Sequence, residues 1–312
     1  MSSSVVIGTR LMSELNSPFR YPGGKFYARK LILEHIIPHT YYAEPFAGGA
    51  SIFFAKRKVG QNLLNDMDPD LINRYLVIRD RVEELIALLD GIPASKDKHH
   101  YYKNIYEPTN ELERAFRWYY LNRTSYSGIM NMQNCYWGYG DKYSMQPKNW
   151  PGHLRRCSRK LQGVQVTCLD FEKIIVQVPD GAFLFVDPPY FNADQDKFYT
   201  HSFDRESHYR LARVLHEHSH RLKFLLTYDN SPEVREMYGW STHMLEKEWN
   251  YTINRTDDQT KKTRDKGKRY MGKEIFIINY DVPAAGKRPL QLPLLPSQFS
   301  LEQTEFGLAA TN

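Results

Sequence analysis

The sequence predicts a doubly wound α/β domain around a mostly parallel sheet, interrupted by an inserted, mainly helical segment. Three observations carry that reading. The run Ala182-Phe183-Leu184-Phe185-Val186 is continuously apolar, the pattern of a strand covered on both faces, and it stops on Asp187-Pro188-Pro189-Tyr190. The first 76 residues alternate short apolar strands, glycine or acidic turns and helical periodicity, which is β-α-β in outline. Between 77 and 160 that alternation gives way to a stretch dense in Tyr, Trp, Asn, Arg and Lys.

Taken in order, residues 1–17 read as a flexible N-terminal arm. "PFRYPGGKFYARKLILEHIIP" is a loop with paired glycines, then a helix carrying Leu31, Ile32, Ile36 and Ile37. "TYYAEPFAGGASIFFAKRK" reads as strand, glycine turn and helix, and "NLLNDMDPDLINRY" as strand, acidic turn and helix. The main domain is therefore discontinuous, 18–76 and 161–283, with 77–160 as a second domain inserted into it. "VQVTCLDFEKII", "KFLLTYDN" and "EIFIINY" supply strands after the insert, and periodicity predicts a helix over 207–222. The Pro-rich, aperiodic stretch 284–312 reads as a disordered tail.

Composition bounds the function. Hydrophobic residues at 41% and aromatics at 14% exclude a disordered chain. A formal charge of +6 and a pI near 9.0 suit a polyanionic partner. No apolar run approaches a membrane span or a signal segment, so a cytoplasmic protein is expected. Cys135, Cys157 and Cys168 lack metal-pair spacing and cannot all pair, which suits structural thiols in a reducing compartment. "HEHSH" matches H-E-x-x-H, but His216 and His220 fall beside the helix's apolar stripe and no third ligand follows. No metal is expected.

Three stretches read as one ligand site. In "EPFAGGASIFF" the glycines let a ligand approach the backbone, and G-x-G-x-x-G is absent, so a pyrophosphate is poorly supported. Asp66 ends the next strand, where a doubly wound sheet commonly binds ribose hydroxyls. In "CLDFEKI", Asp170 can accept from an adenine amine and Phe171 can pack on the ring. A ribose, an adenine and no phosphate describe S-adenosylmethionine.

The loop at Asp187 suits transfer to an exocyclic amine. Such an amine is a poor nucleophile because its lone pair is delocalised into the ring. Asp187 and the Pro188 carbonyl, each accepting one N–H, would localise that lone pair, and an ordinary carboxylate suffices. The sulfonium already activates the methyl group, so positioning dominates. Tyr190 would stack on the base, which must leave the duplex to reach the loop. No cysteine follows a proline, against a covalent route to cytosine C5.

These residues resemble those of the DNA adenine-N6 methyltransferases of the Dam type, the D12 class with alpha-group motif order. The resemblance runs from about 18 to 281, through "FRYPGGK", "EPFAGGASIF", "LLNDMDPDLIN", "YYLNRTSYSG", "FVDPPYF" and "HSFDRESHYRLARVL". It implies the S-adenosylmethionine-dependent methyltransferase fold, with 77–160 as the target-recognition domain. It further implies a cofactor site at Tyr21, Lys25, Glu44, Phe46, Gly48, Asp66, Asp170, Phe171 and Asp187, and a catalytic loop of Asp187, Pro188, Pro189 and Tyr190. Tyr21 stands where some relatives carry Trp. Tyr119, Asn122, Arg123 and Tyr126 fall where the family leads into a DNA-contacting hairpin. Members reading GATC carry Arg three residues after the turn's Gly; Asn131 stands there here, and Asn favours adenine where Arg favours guanine.

The stretch 254–274 carries eight Lys or Arg and few apolar residues, is flanked by "MLEKEWNYTI" and "EIFIINY", and reads as a long hairpin loop. Lys261, Lys262 and Arg264 are its expected phosphate contacts. The expected partner is double-stranded DNA, with a cognate restriction endonuclease as a further partner, and the expected location is the nucleoid. A monomer suffices, since a symmetric target can be methylated in two visits. The rivals are methylation of RNA adenine and a catalytically silent DNA-binding relative.

Overall fold

A computed structural model describes residues 15–21, 24–128, 132, 135–140, 142, 144–192, 203–250 and 271–281. The order of elements is α1 (Arg29–His35), β1 (Tyr41–Glu44), α2 (Ser51–Ala55), β2 (Gln61–Asn65), α3 (Pro69–Asp80), α4 (Val82–Leu89), α5 (Lys96–Asn104), α6 (Glu111–Thr124) and α7 (Trp150–Leu161). The chain continues through β3 (Gln165–Thr167), α8 (Phe171–Gln177), β4 (Phe183–Val186), α9 (Arg205–Glu217), β5 (Lys223–Asp229), α10 (Pro232–Met237), β6 (His243–Asn250) and β7 (Met271–Ile278).

The strands form a seven-stranded sheet in the order β3-β2-β1-β4-β5-β7-β6. The five from β3 to β5 are parallel, and β7 and β6 close one edge as an antiparallel hairpin. This is the mostly parallel α/β sheet that the sequence predicts. Strand order reverses between β1 and β4, so a crevice opens at their carboxyl ends, where open α/β sheets bind ligands.

All four residues of β4 are buried, and they divide by period two. Phe183 and Phe185 enter one core with Phe53 and Phe54, while Leu184 and Val186 enter a second with Ile174, Leu211 and Leu215. A continuously apolar strand is thus covered on both faces. Local chemistry sets the helix starts: Asp68 caps α3 by accepting from the Asp70 and Leu71 N–H groups, with Pro69 in the first turn.

The helices of the insert share the first core: Phe116, Tyr120 and Trp150 pack in the same cluster as Phe53 and Phe54, and α7 lies along α3. The sequence boundary at 76/77 accordingly falls inside α3, and that at 160/161 at the last residue of α7. Asn16 and Ser17 of the N-terminal arm are tied in, with Asn16 O beside His153 Nε2 (3.1 Å) and Ser17 Oγ accepting from Phe19 N (3.1 Å). The helix expected over 207–222 ends at Glu217. The chain turns there so that Arg221 can donate to Val178 O (2.6 Å), Ile175 O (2.7 Å) and Val176 O (2.9 Å), carbonyls that the end of α8 leaves without helical partners. Residues 251–270 and 282–312, the basic loop and the tail, lie outside the described residues.

Candidate active site

The site is assembled at the carboxyl ends of β1, β2 and β4. After β1 the chain turns at Gly48, with φ +46, and Ala50, with φ 47. Asp66, one residue beyond β2, holds that turn: Gly48 N–H donates to its Oδ2 (2.9 Å) and Asp68 N–H to its Oδ1 (3.1 Å). The buried Tyr75 hydroxyl donates to Gly48 O (2.7 Å). Tyr21 lies against both glycines; a Cβ on Gly48 would fall 3.0 Å from its Cε1, and one on Gly49 2.8 Å from its Cβ. Tyr21, Gly48 and Asp66, assigned to one ligand by sequence, are therefore brought together.

Beyond β4, Asp187 Oδ1 is held by Lys25 Nζ (2.7 Å) and by the Thr227 hydroxyl (2.7 Å). Both bonds fall on one oxygen, Oδ1. The Lys25 ammonium also sits 4.9 Å from the centre of the Tyr190 ring, a cation–π contact that fixes both groups. Asp229, at the end of β5, anchors the far side of the loop by accepting from Phe191 N–H (2.8 Å) and Asn192 Nδ2 (2.9 Å). Pro188 is buried, while Asp187, Pro189 and Tyr190 are half-buried.

Some assignments take a different place. Glu44 is closed off from ligand: Oε1 accepts from the Tyr42 hydroxyl (2.7 Å) and Phe53 N–H (2.8 Å), and it braces α2 under the turn. Burial pushes its carboxyl up to about 8, against the pull of those two bonds. Asp170 has both oxygens engaged, Oδ1 capping α8 through Glu172 N–H (2.9 Å) and Oδ2 paired with Arg210 (2.7 Å). Phe171 is core, stacked on the half-buried Phe46 with ring centres 5.3 Å apart. Of that pair, Phe46 is the ring nearer solvent.

Residues 21–253 match the family model of the D12 class N6 adenine-specific DNA methyltransferases. The chain belongs to this class. It is 29% identical over 288 residues to the Type II methyltransferase M1.LlaDCHI of Lactococcus lactis subsp. cremoris, covering 84% of this chain and 95% of that protein. Similarity to the DNA N-6-adenine-methyltransferase of Escherichia phage P1 is 28% over 249 residues, 74% of this chain but only 32% of that longer protein. The DNA adenine methylase of Escherichia coli (strain K12) is 23% identical over 210 residues, 62% of this chain and 73% of its own.

For a member of the D12 class the DNA-facing surface matters next, and here sequence reasoning needs correction. Tyr119 (1% exposed), Asn122 (0%) and Arg123 (7%) are interior residues of α6, placed where they cannot meet DNA. Arg123 donates to Pro18 O (2.5 Å), and Asn122 binds the backbone at Arg20 and Gly128. Tyr126 does reach the surface, beside Tyr136, and Tyr126 N–H donates to Tyr136 O (2.8 Å). His99 ties this segment to α5 through Thr124 Oγ1 (2.7 Å) and Cys135 O (3.2 Å). Around it lie the exposed Lys98, against Tyr101, and Lys103, whose ammonium sits 5.1 Å from the Tyr136 ring centre. Asn131, Lys261, Lys262 and Arg264 lie outside the described residues.

Sequence reasoning missed Thr227, Asp229 and Glu274. Asp229 carried the same signal as Asp66, an acid closing an apolar strand; Glu274 carried another, an acid inside one. Glu274 is 2% exposed and burial pushes its carboxyl up to about 8; Lys25 and Tyr190 oppose that shift, and Asp187 and Asp229 reinforce it. Among the described residues no group of His, Cys, Asp and Glu could hold a metal ion, and no helix is long and apolar enough to cross a membrane. His216 stacks on Trp240 (4.5 Å).

Proposed function

We propose that this D12-class methyltransferase transfers a methyl group from S-adenosylmethionine to N6 of an adenine turned out of duplex DNA. The observation that carries this reading is Asp187 with Oδ1 fixed by Lys25 and Thr227. Asp187 Oδ2 and the Pro188 carbonyl accept the two N6 hydrogens and direct the nitrogen lone pair at the methyl carbon. Tyr190 covers one face of the base, held there by Lys25.

Tyr21, Gly48 and Asp66 would hold the cofactor, because Asp66 fixes the glycine turn at the carboxyl end of β1 and the missing Cβ lets Tyr21 pack directly on that turn. S-adenosylmethionine supplies an electrophilic methyl whose bond to sulfur breaks as the bond to N6 forms. N6 is then cationic, and Asp187 stabilises it until a proton leaves to solvent. Tyr126, Tyr136, Lys98 and Lys103 form a basic and aromatic face suited to duplex DNA. The chain works as a monomer in the cytoplasm at the nucleoid, and a restriction endonuclease sharing its site is the partner this class suggests.

The test is to incubate the pure protein with methyl-labelled S-adenosylmethionine and unmethylated plasmid, then digest to nucleosides for mass spectrometry. Labelled N6-methyldeoxyadenosine is expected. Label on deoxycytidine or only on RNA overturns the base or substrate assignment, and no label on any nucleic acid overturns the reading.

A further inference from the structure

We propose that Asn122 is a positioning residue for methyl transfer, clasping Arg20 to Gly128 so that the Lys25–Asp187 pair forms in register with the exposed Tyr126 and Tyr136. The inference rests on the functional reading above. Asn122 is fully buried and its amide is used at both ends. Oδ1 accepts from Arg20 N–H (2.9 Å), and Nδ2 donates to Arg20 O (2.7 Å) and to Gly128 O (3.2 Å). Arg20 answers by donating from its guanidinium to Ser125 O (3.1 Å).

The two backbones meet too closely for a side chain between them. Gly128 has φ +74, and a Cβ there would fall 2.5 Å from Arg20 Cβ and 2.6 Å from Arg20 O. Each backbone leads straight to a working surface. Beyond Arg20 comes Tyr21, seated on the glycine turn, and then Lys25, which holds Asp187. Beside Gly128 the segment is fastened by Tyr126 N–H to Tyr136 O (2.8 Å) and Gly138 N–H to Thr124 O (2.9 Å), and both tyrosines face outward.

A shift of either strand against the other would leave buried polar groups of Asn122 without partners, which is costly. Movement of the segment as DNA docks is therefore carried to Arg20, and from there to Tyr21 and Lys25.

The experiment first finds the sequence that wild type methylates on unmethylated plasmid. It then compares wild type, Asn122→Ala and Arg20→Ala on a duplex carrying that sequence. Duplex affinity is read by fluorescence anisotropy, S-adenosylhomocysteine affinity by calorimetry, and kcat and KM for DNA by label transfer. With about 1 kcal/mol for each of the three bonds lost, Asn122→Ala should lower kcat roughly one- to two-hundredfold. Duplex and S-adenosylhomocysteine affinities should stay within about threefold, since Asn122 touches neither ligand. Arg20→Ala, which loses the bond to Ser125 and keeps the backbone bonds to Asn122, should give the same split at roughly tenfold or less, and it decides the matter if Asn122→Ala does not fold. A kcat unchanged in folded variants, or one that falls only in proportion to duplex affinity, overturns the proposal. Wild type that methylates no DNA overturns the functional reading itself, a separate outcome.

Discussion

Replacing Asp187 by Asn keeps the shape of the loop and removes one negative charge. In the proposed transition state positive charge grows on N6 beside Oδ2. Asp187 is 19% exposed, so a near-surface dielectric applies, and a full charge at about 4 Å would be worth about 4 kcal/mol. Half of that, about 2 kcal/mol, suits a half-formed charge, and a weaker hydrogen bond adds about 1 kcal/mol. The sum, roughly 3 kcal/mol, predicts a loss of about two orders of magnitude in the single-turnover rate of label transfer to plasmid. Stability falls as well, because Lys25, 4% exposed in its side chain, loses its counter-ion. Adding Lys25→Met to Asp187→Asn should recover the thermal midpoint and none of the rate. A folded Asp187→Asn enzyme turning over within about fivefold of wild type would refute the argument, as would a double variant with restored activity.

Three further outcomes follow from particular residues. Glu274 holds its proton up to about 8 in the fold against 4.5 as its ordinary value, so its contribution is complete below 4.5 and is lost as pH rises through 8. Glu274→Gln should therefore stay closer to its low-pH melting temperature than wild type as pH rises from about 4.5 to about 8, the window between the two values; parallel melting curves would exclude the buried neutral acid. Removing Lys98 and Lys103 together should flatten the slope of log affinity for duplex against log salt by about 1.8 and weaken all sequences alike, and an unchanged slope would take α5 out of the interface. Gly48→Ala forces a methyl group to within 3.0 Å of the Tyr21 ring at φ +46, and should weaken S-adenosylmethionine binding about tenfold by calorimetry; unchanged binding would separate the glycine turn from the cofactor.

What the sequence discloses here depends on how local the physics is. The strand before Asp187, the turn at Gly48 and the acid at Asp66 each carry their signal within a few residues, and all three lie where that signal puts them. The pairing of β6 with β7 was legible for the same reason, since "MLEKEWNYTI" and "EIFIINY" flank a basic stretch with few apolar residues. Asn122 and Arg123 were misread because a polar residue looks exposed until its distant partners are known, and those partners are backbone atoms of Arg20 and Pro18. The boundary drawn at 76/77 falls within α3. A shift in composition marks where surface chemistry changes, whereas α3 runs through that point because its buried face serves the sheet and the insert together.

The charge of the chain also divides in a way composition alone conceals. A formal +6 describes the whole molecule, but Asp66, Asp187 and Asp229 stand at the strand ends, with Lys25 paired to Asp187 and the buried Glu274 behind them. The two environments suit opposite ligands. Acids at the strand ends favour a sulfonium and an amine that becomes cationic, while the basic and aromatic face of α5 and Tyr136 favours phosphate. A single sign of charge across both regions would make one ligand repel the other's site. Lys25 is the exception in the crevice: it pairs with Asp187, and Glu274 behind that pair is a neutral acid because burial outweighs the opposing pull of Lys25.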